Sequence, residues 1–152
     1  MNKPSHALIG IAGVHFIVAE LSRRGMVALP TVRNTAGYDI IVSNAQGTKF
    51  ANIQVKSSSQ RVTFFPMPPS NKINDHHSAF YALVRWIDRE EKYECFFLTG
   101  AEAKAEVKAG ERFQNKRIRK GTRKKVFPSI YVGPKIGDKK DQWKQRWAKW
   151  SL

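Results

Sequence analysis

The chain has 152 residues, 41% of them hydrophobic, which is enough for one domain with a real core and too little for two ordinary ones. Its single cysteine, Cys95, excludes an intramolecular disulfide and a cysteine-rich zinc site, and its longest apolar stretch, 7–21, is too short and too polar for a membrane span. The net charge of +15 is unevenly placed: residues 104–149 hold sixteen basic and four acidic groups, residues 61–103 five and six.

In chain order, residues 6–24 predict a helix, with Leu8, Ile11, Ala12, Phe16, Ala19 and Leu21 on a broad apolar face. Ser5 is its N-cap, Arg23 and Arg24 sit in its last turn, and Gly25 stops it. "MVALPTV" is a short strand that Pro30 confines to an edge. "YDIIVSN" and "KFANIQVKS" are strands joined by a turn around Gly47. Alternation in the second sets Ala51, Ile53 and Val55 on one face and Asn52, Gln54 and Lys56 on the other. Residues 57–78 read as a long loop with one short strand at "RVTFF". "AFYALVRWID" and "KYECFFLT" form a hairpin, with Cys95 a small core residue. A helix follows over 100–117, with Thr99 as N-cap and early acids Glu102 and Glu106. "KVFPSIYVG" is a last strand. "KDQWKQRWAKW" is a terminal helix whose Trp143, Trp147 and Trp150 share one face, a core-docking stripe ahead of the alternative, a base-stacking platform. The order implies an α/β or α+β domain, a central mixed β-sheet flanked by helices, spanning 1–152 with a core over about 6–100 and a basic C-terminal extension over about 101–152.

A local basic surplus repels itself, so it points to a polyanion, first of all nucleic acid. "NKRIRKGTRKK" is the phosphate-binding candidate, through Arg117, Arg119, Lys120, Arg123, Lys124 and Lys125. A solvated basic loop is the blander alternative. Asp75, His76 and His77 could be a transition-metal fragment, although adjacent histidines on a strand point oppositely. The "TFFPMPP" segment suits a protein partner or a buried role for Phe64 and Phe65. With no signal-peptide pattern, the cytoplasm is the expected location and no membrane partner is expected.

Three segments carry a resemblance: "VAELSRRG" before the first strand, "GYDIIV", and "IQVKSSS". Together they resemble the PD-(D/E)xK nuclease superfamily over about residues 6–60, in a Q-x-K variant similar to homing-endonuclease-like and Holliday-junction-resolvase-like members. The resemblance implies a restriction-endonuclease-like core, cleavage of DNA with Mg²⁺ (or Mn²⁺ as a substitute), and a homodimer. It matches Asp39 to the first acid, Gln54 to the second and Lys56 to the lysine. Asp39 would then bind metal, Gln54 would offer its amide oxygen, and the Val55 carbonyl would complete the shell. Lys56 would act on the nucleophile or the phosphate. Such members add a glutamate from the first helix at a position that falls here on Val14. Glu20 lies six residues on, about 600° of helix, and so faces about 120° away from position 14. His15, beside that place, is an alternative ligand or base.

The leading expectation is a metal-dependent DNA endonuclease, with RNA not excluded. Two other readings stand beside it: a nuclease-fold module that binds nucleic acid without cutting, and a subunit of a mobile-element or defence complex whose protein partner completes the site.

Overall fold

The computed structural model describes residues 4–32, 37–60, 62–87, 90–121, 125–133 and 143. Helix α1 spans His6–Ser22, opened by the Ser5 hydroxyl, which accepts from the Leu8 amide. It ends at Ser22 with its C-cap on Arg23, two residues before the expected bound, and Gly25 turns the chain at φ +83°. Strands β1 (Val27–Pro30), β2 (Ile40–Ser43) and β3 (Phe50–Ser58) form an antiparallel meander. The β2–β3 turn is held by Asn44, whose Oδ1 accepts from the Thr48 and Lys49 amides, and Gly47 takes φ +65°.

Short strand β4 (Phe64–Pro66) and a 3-10 turn at Ser70–Lys72 interrupt the long connection. β5 (Ala79–Ile87) then runs parallel to β3, and β6 (Lys92–Thr99) returns antiparallel to β5. Helix α2 (Gly100–Arg119) starts with a complete capping box between Thr99 and Glu102. β7 (Ser129–Tyr131) pairs with β4 as a two-stranded ribbon. The main sheet has the order β1-β2-β3-β5-β6, a mixed five-stranded sheet with β1 at an edge, where Pro30 costs no ladder bond on the open side.

Strand alternation divides the core into two layers. Ile40, Val42, Ala51, Ile53, Ala82, Val84, Cys95 and Phe97 face α1, whose Ile17 and Leu21 close the first cluster. Tyr81, Leu83, Phe96 and Leu98 point to the other face, under α2 (Ala103, Val107), the ribbon (Phe65, Ile130) and Trp143. The segment expected as an extension therefore shares the second core layer with residues 65–73. Trp143 packs as the stripe predicted, while Trp147 and Trp150 lie outside the described residues. Of the two rings for which a buried role was offered, Phe65 is buried and Phe64 is exposed.

Two close approaches fix the layers. A Cβ on Gly13 would lie 1.8 Å from Ser57 Oγ, so glycine is what lets α1 lie directly on β3. On the other face, Arg85 and Glu94 are register partners, both buried, joined through Nε and Nη2 to one carboxylate oxygen at 2.7 and 2.6 Å. The same guanidinium donates to the Val62 carbonyl and lies over the Phe96 ring, tying the β3–β4 connection to the sheet.

Candidate active site

Asp39 immediately precedes β2, and its position follows from the register. The β2–β3 register ends where Ile40 opposes Ile53, and Asp39 stands one residue beyond it. Its main chain bridges two strands: the Asp39 amide donates to the Ile53 carbonyl at 2.8 Å, and its carbonyl accepts from the Thr31 amide at 2.9 Å. Its carboxylate does the work of the missing next ladder step, Oδ2 accepting from the Val55 amide at 2.7 Å. The acid is therefore held against β3 at the residue between Gln54 and Lys56. The N–H and C=O of one strand residue point to the same side, so the Val55 carbonyl faces that same edge, where β2 has ended.

Gln54 and Lys56 project from the sheet face opposite α1, as alternation predicts. Their ladder partners Tyr81 and Leu83 are buried in the second core, and the pair stands at its half-buried margin. Among the described residues neither Asp39 nor Lys56 has an ion-pair partner.

Asp39 and Val55 line a cavity of about 420 Å³ beneath the first half of α1. Val14 and His15 line it too, so the structure brings His15 to the same cavity as Asp39. Gly10 lines it and leaves open space where a side chain would stand. Tyr38 and Thr31, which sequence reasoning did not single out, form its rim, with the Thr31 hydroxyl donating to the Tyr38 carbonyl at 3.0 Å. The signal for Gly10 and Gly13 was their spacing of three on one helix, which marks a face left bare of side chains.

Glu20 is not brought to this site. It lines a different depression, with Phe16, Trp86 and Tyr93, near the opposite end of α1. Its carboxylate bonds both Arg23, at 3.1 Å, and Arg24. Burial pushes its pKa up, but hydrogen bonds from Arg24 and Arg23 outweigh that, so the net shift is downward. The helical turn that separates it from position 14 is the physical reason for its absence.

The 75–77 segment also stands elsewhere, against the start of α2. Asp75 is held by Lys104 at 2.8 Å, His76 Nδ1 lies 2.8 Å from Ser78 Oγ, and the His76 and His77 rings meet at a tilt of 40° with centres 4.1 Å apart. Among the described residues no three His, Cys, Asp or Glu side chains gather as a metal site.

The basic run is only partly a loop. Asn115–Arg119 continue α2, with Lys116, Arg117 and Arg119 in its last turn at the negative end of the dipole, Lys120 as C-cap and Gly121 at φ +70°. Arg117, Arg119, Lys120 and Lys125 are exposed, and Arg123 and Lys124 lie outside the described residues. Arg117 lies over Phe113 and Lys125 over Phe127, at 6.0 and 5.8 Å from the ring centres.

No protein-family model matches the chain, and no curated protein matches it. Among solved structures it is similar to the bacterial homing endonuclease I-Ssp6803I, with a TM-score of 0.55 at 12% identity over 96% of this chain and 91% of that one. At that identity the likeness shows the fold: a mixed α+β architecture of a five-stranded sheet and two helices, similar to that endonuclease. Among the described residues no helix is long and apolar enough to cross a membrane.

Proposed function

We propose that this protein is a metal-dependent DNA endonuclease whose active site is at the β2–β3 edge, where Asp39 lines the cavity under α1 while Gln54 and Lys56 project from the opposite face of the sheet. The observation that carries the reading is the Asp39 carboxylate, fixed by the Val55 amide between Gln54 and Lys56, at a cavity, with no cation neutralising it among the described residues. The endonuclease fold of the structural neighbour supports it.

Asp39 and the Val55 carbonyl, with Gln54 as a third oxygen donor, would hold Mg²⁺ or Mn²⁺, hard ions that take oxygen ligands and keep several of their own waters. When bound, the metal polarises the phosphate and lowers the pKa of a water. The chain's own groups do the rest. Asp39 would hold the metal from a fixed strand position. Lys56 offsets the negative charge that builds on the phosphate oxygens. His15, on the far wall of the cavity, accepts a proton from the attacking water. Arg117, Arg119, Lys120 and Lys125, together with Arg123 and Lys124, contact the backbone and give salt-sensitive affinity. A homodimer belongs to the same reading: Val27, Leu29, Ile41 and Phe50 share one face of β1–β3 and are exposed, a surface suited to a second copy.

Nicking of plasmid DNA with Mg²⁺ or Mn²⁺ tests the proposal. Asp39→Asn keeps an oxygen for the Val55 amide while removing the charge. It should lower cleavage about 10²–10³-fold with the fold and DNA binding intact, and Lys56→Ala should act in the same direction. The second reading, a nuclease-fold module that binds without cutting, is favoured by the single carboxylate at the site. Tight, salt-sensitive binding by wild type with no product in either metal would select it, or a subunit that needs a protein partner.

A further inference from the structure

Across the molecule from β2, the ribbon of β4 and β7 breaks the usual rule for a strand pair. Its inner residues Phe65 and Ile130 fill the second core, yet its outer face is aromatic as well. Phe64 and Tyr131 are direct cross-strand neighbours, 54% and 49% exposed, and Phe127 beside them is 59% exposed. The three rings, with Pro66, Met67 and Pro128, line a cavity of about 560 Å³. The segment carrying Phe127 is fixed from beneath. The buried Gln114 amide donates to the Phe127 carbonyl at 3.0 Å and accepts from its N–H at 2.7 Å. A ring held at the surface by a buried two-way clamp is a presented ring.

Its surroundings are cationic. Lys125 lies over Phe127, and Arg117 is one turn along α2 from Gln114. Shared lining residues link this cavity to the cleft described above. Phe64 and Pro66 line a neighbouring cavity of about 420 Å³ whose opposite wall is Ser57–Gln60 and the start of α1. His6 lines both that cavity and the Asp39 cavity. Ser57 Oγ, in this middle section, is buried without a hydrogen-bond partner among the described residues. The lining residues therefore run from the acid, past Ser58 and Ser59, to exposed aromatic rings beside cations.

Resting on the nuclease reading, we propose that an unpaired nucleobase of the DNA strand leaving the Asp39 cleft stacks in this aromatic cavity, so that the substrate carries a single-stranded segment beside the cut. The flat face of a base is open to such a platform only when the base is out of a duplex, and stacking tolerates any sequence. A protein side chain would also fit the apolar walls, but the flanking Lys125 and Arg117 match a strand that brings its own phosphates.

The experiment uses the full chain in chelator, so that it is blind to cleavage. Binding of a blunt duplex and of the same duplex with a single-stranded tail is measured by anisotropy, with 2-aminopurine in the tail reporting stacking by quenching. The tailed duplex should bind about 10-fold more tightly than the blunt one, with quenching. Phe127→Ala and Tyr131→Ala should each remove most of that preference and of the quenching while blunt-duplex affinity and thermal melting stay put, and Tyr131→Phe should restore both. Leu8→Ala, an exposed apolar side chain on α1, is the control. Equal affinity for the two DNAs, or equal weakening of both by the variants, overturns the proposal. So does a change of oligomeric state in Phe127→Ala without DNA, which would assign the cavity to a second copy. Asp39→Asn should bind and quench as wild type, so the loss of cleavage and the loss of stacking are read separately.

Discussion

Asp39 and Glu20 are both half-buried acids at the margins of the α1 layer, and the two regions treat them in opposite ways. At the Glu20 end two guanidiniums close on the carboxylate and hold its pKa down. At the Asp39 end the carboxylate is held by one neutral main-chain N–H, beside a lysine with no ion-pair partner among the described residues. Arg85 and Glu94 show the closed arrangement in its buried form. The difference teaches how to separate a charge that serves the fold from one left for chemistry: the first has its counter-ion within the chain, and the second is positioned but not neutralised.

The largest effect should come from opening a closed pair. Glu94→Ala leaves the Arg85 guanidinium buried beside Phe96 without its partner, and should cost about 3–5 kcal/mol in urea unfolding. Cleavage per folded molecule should stay near wild type. A small loss of stability would mean that Arg85 finds water, and that this end is not closed as described. Next comes Asp39→Asn, where a 10²–10³-fold loss of cleavage corresponds to about 2.7–4 kcal/mol of transition-state stabilisation, with little change in melting. If stability fell and cleavage survived, the roles of the two regions would be reversed. Gly13→Ala tests the platform beneath both. Its Cβ would meet Ser57 Oγ at 1.8 Å, so α1 must lift from β3, at about 1–3 kcal/mol by the usual cost of overpacking. The Gly10→Ala change meets nothing within 4 Å and should instead stabilise α1 slightly.

Local chemistry made much of this legible in the sequence. Ser5, Thr99 with Glu102, Gly25 and Gly47 act within a few residues of themselves, so caps and turns could be read directly. Strand alternation carried Gln54 and Lys56 to one face. What could not be read depends on distant pairing: β3 beside β5 in parallel, β4 beside β7 across some sixty residues, and hence the ribbon that covers the second core. The closed pair left a trace, a single charge within each of the apolar runs "ALVRWI" and "YECFF", but only the hairpin register sets Arg85 opposite Glu94. Within the site, the order of Asp39, Gln54 and Lys56 was visible. That His15 lines the Asp39 cavity while Glu20 does not depends on the rotation of α1 over the sheet, which Gly13 and Ser57 set by contact.

The smallest effect is the sharpest test of the comparison, because it repeats the Asp39→Asn chemistry at the other end. Glu20→Gln removes two partly exposed ion pairs and should lower stability at neutral pH by only about 0.3–1 kcal/mol, leaving cleavage unchanged. The pH dependence has a definite sign. The folded-state pKa of Glu20 lies below its ordinary value of 4.5, so the unfolded chain binds the proton more readily. The stabilisation is therefore fully present above about pH 4.5 and is lost as pH falls through the lower folded-state value. Wild type and Glu20→Gln should differ in urea midpoint at pH 7 and converge in acid. A difference that persisted in acid would show that Glu20 contributes by packing rather than by charge. A cleavage defect in Glu20→Gln would bring this carboxylate back to the site and end the contrast with Asp39.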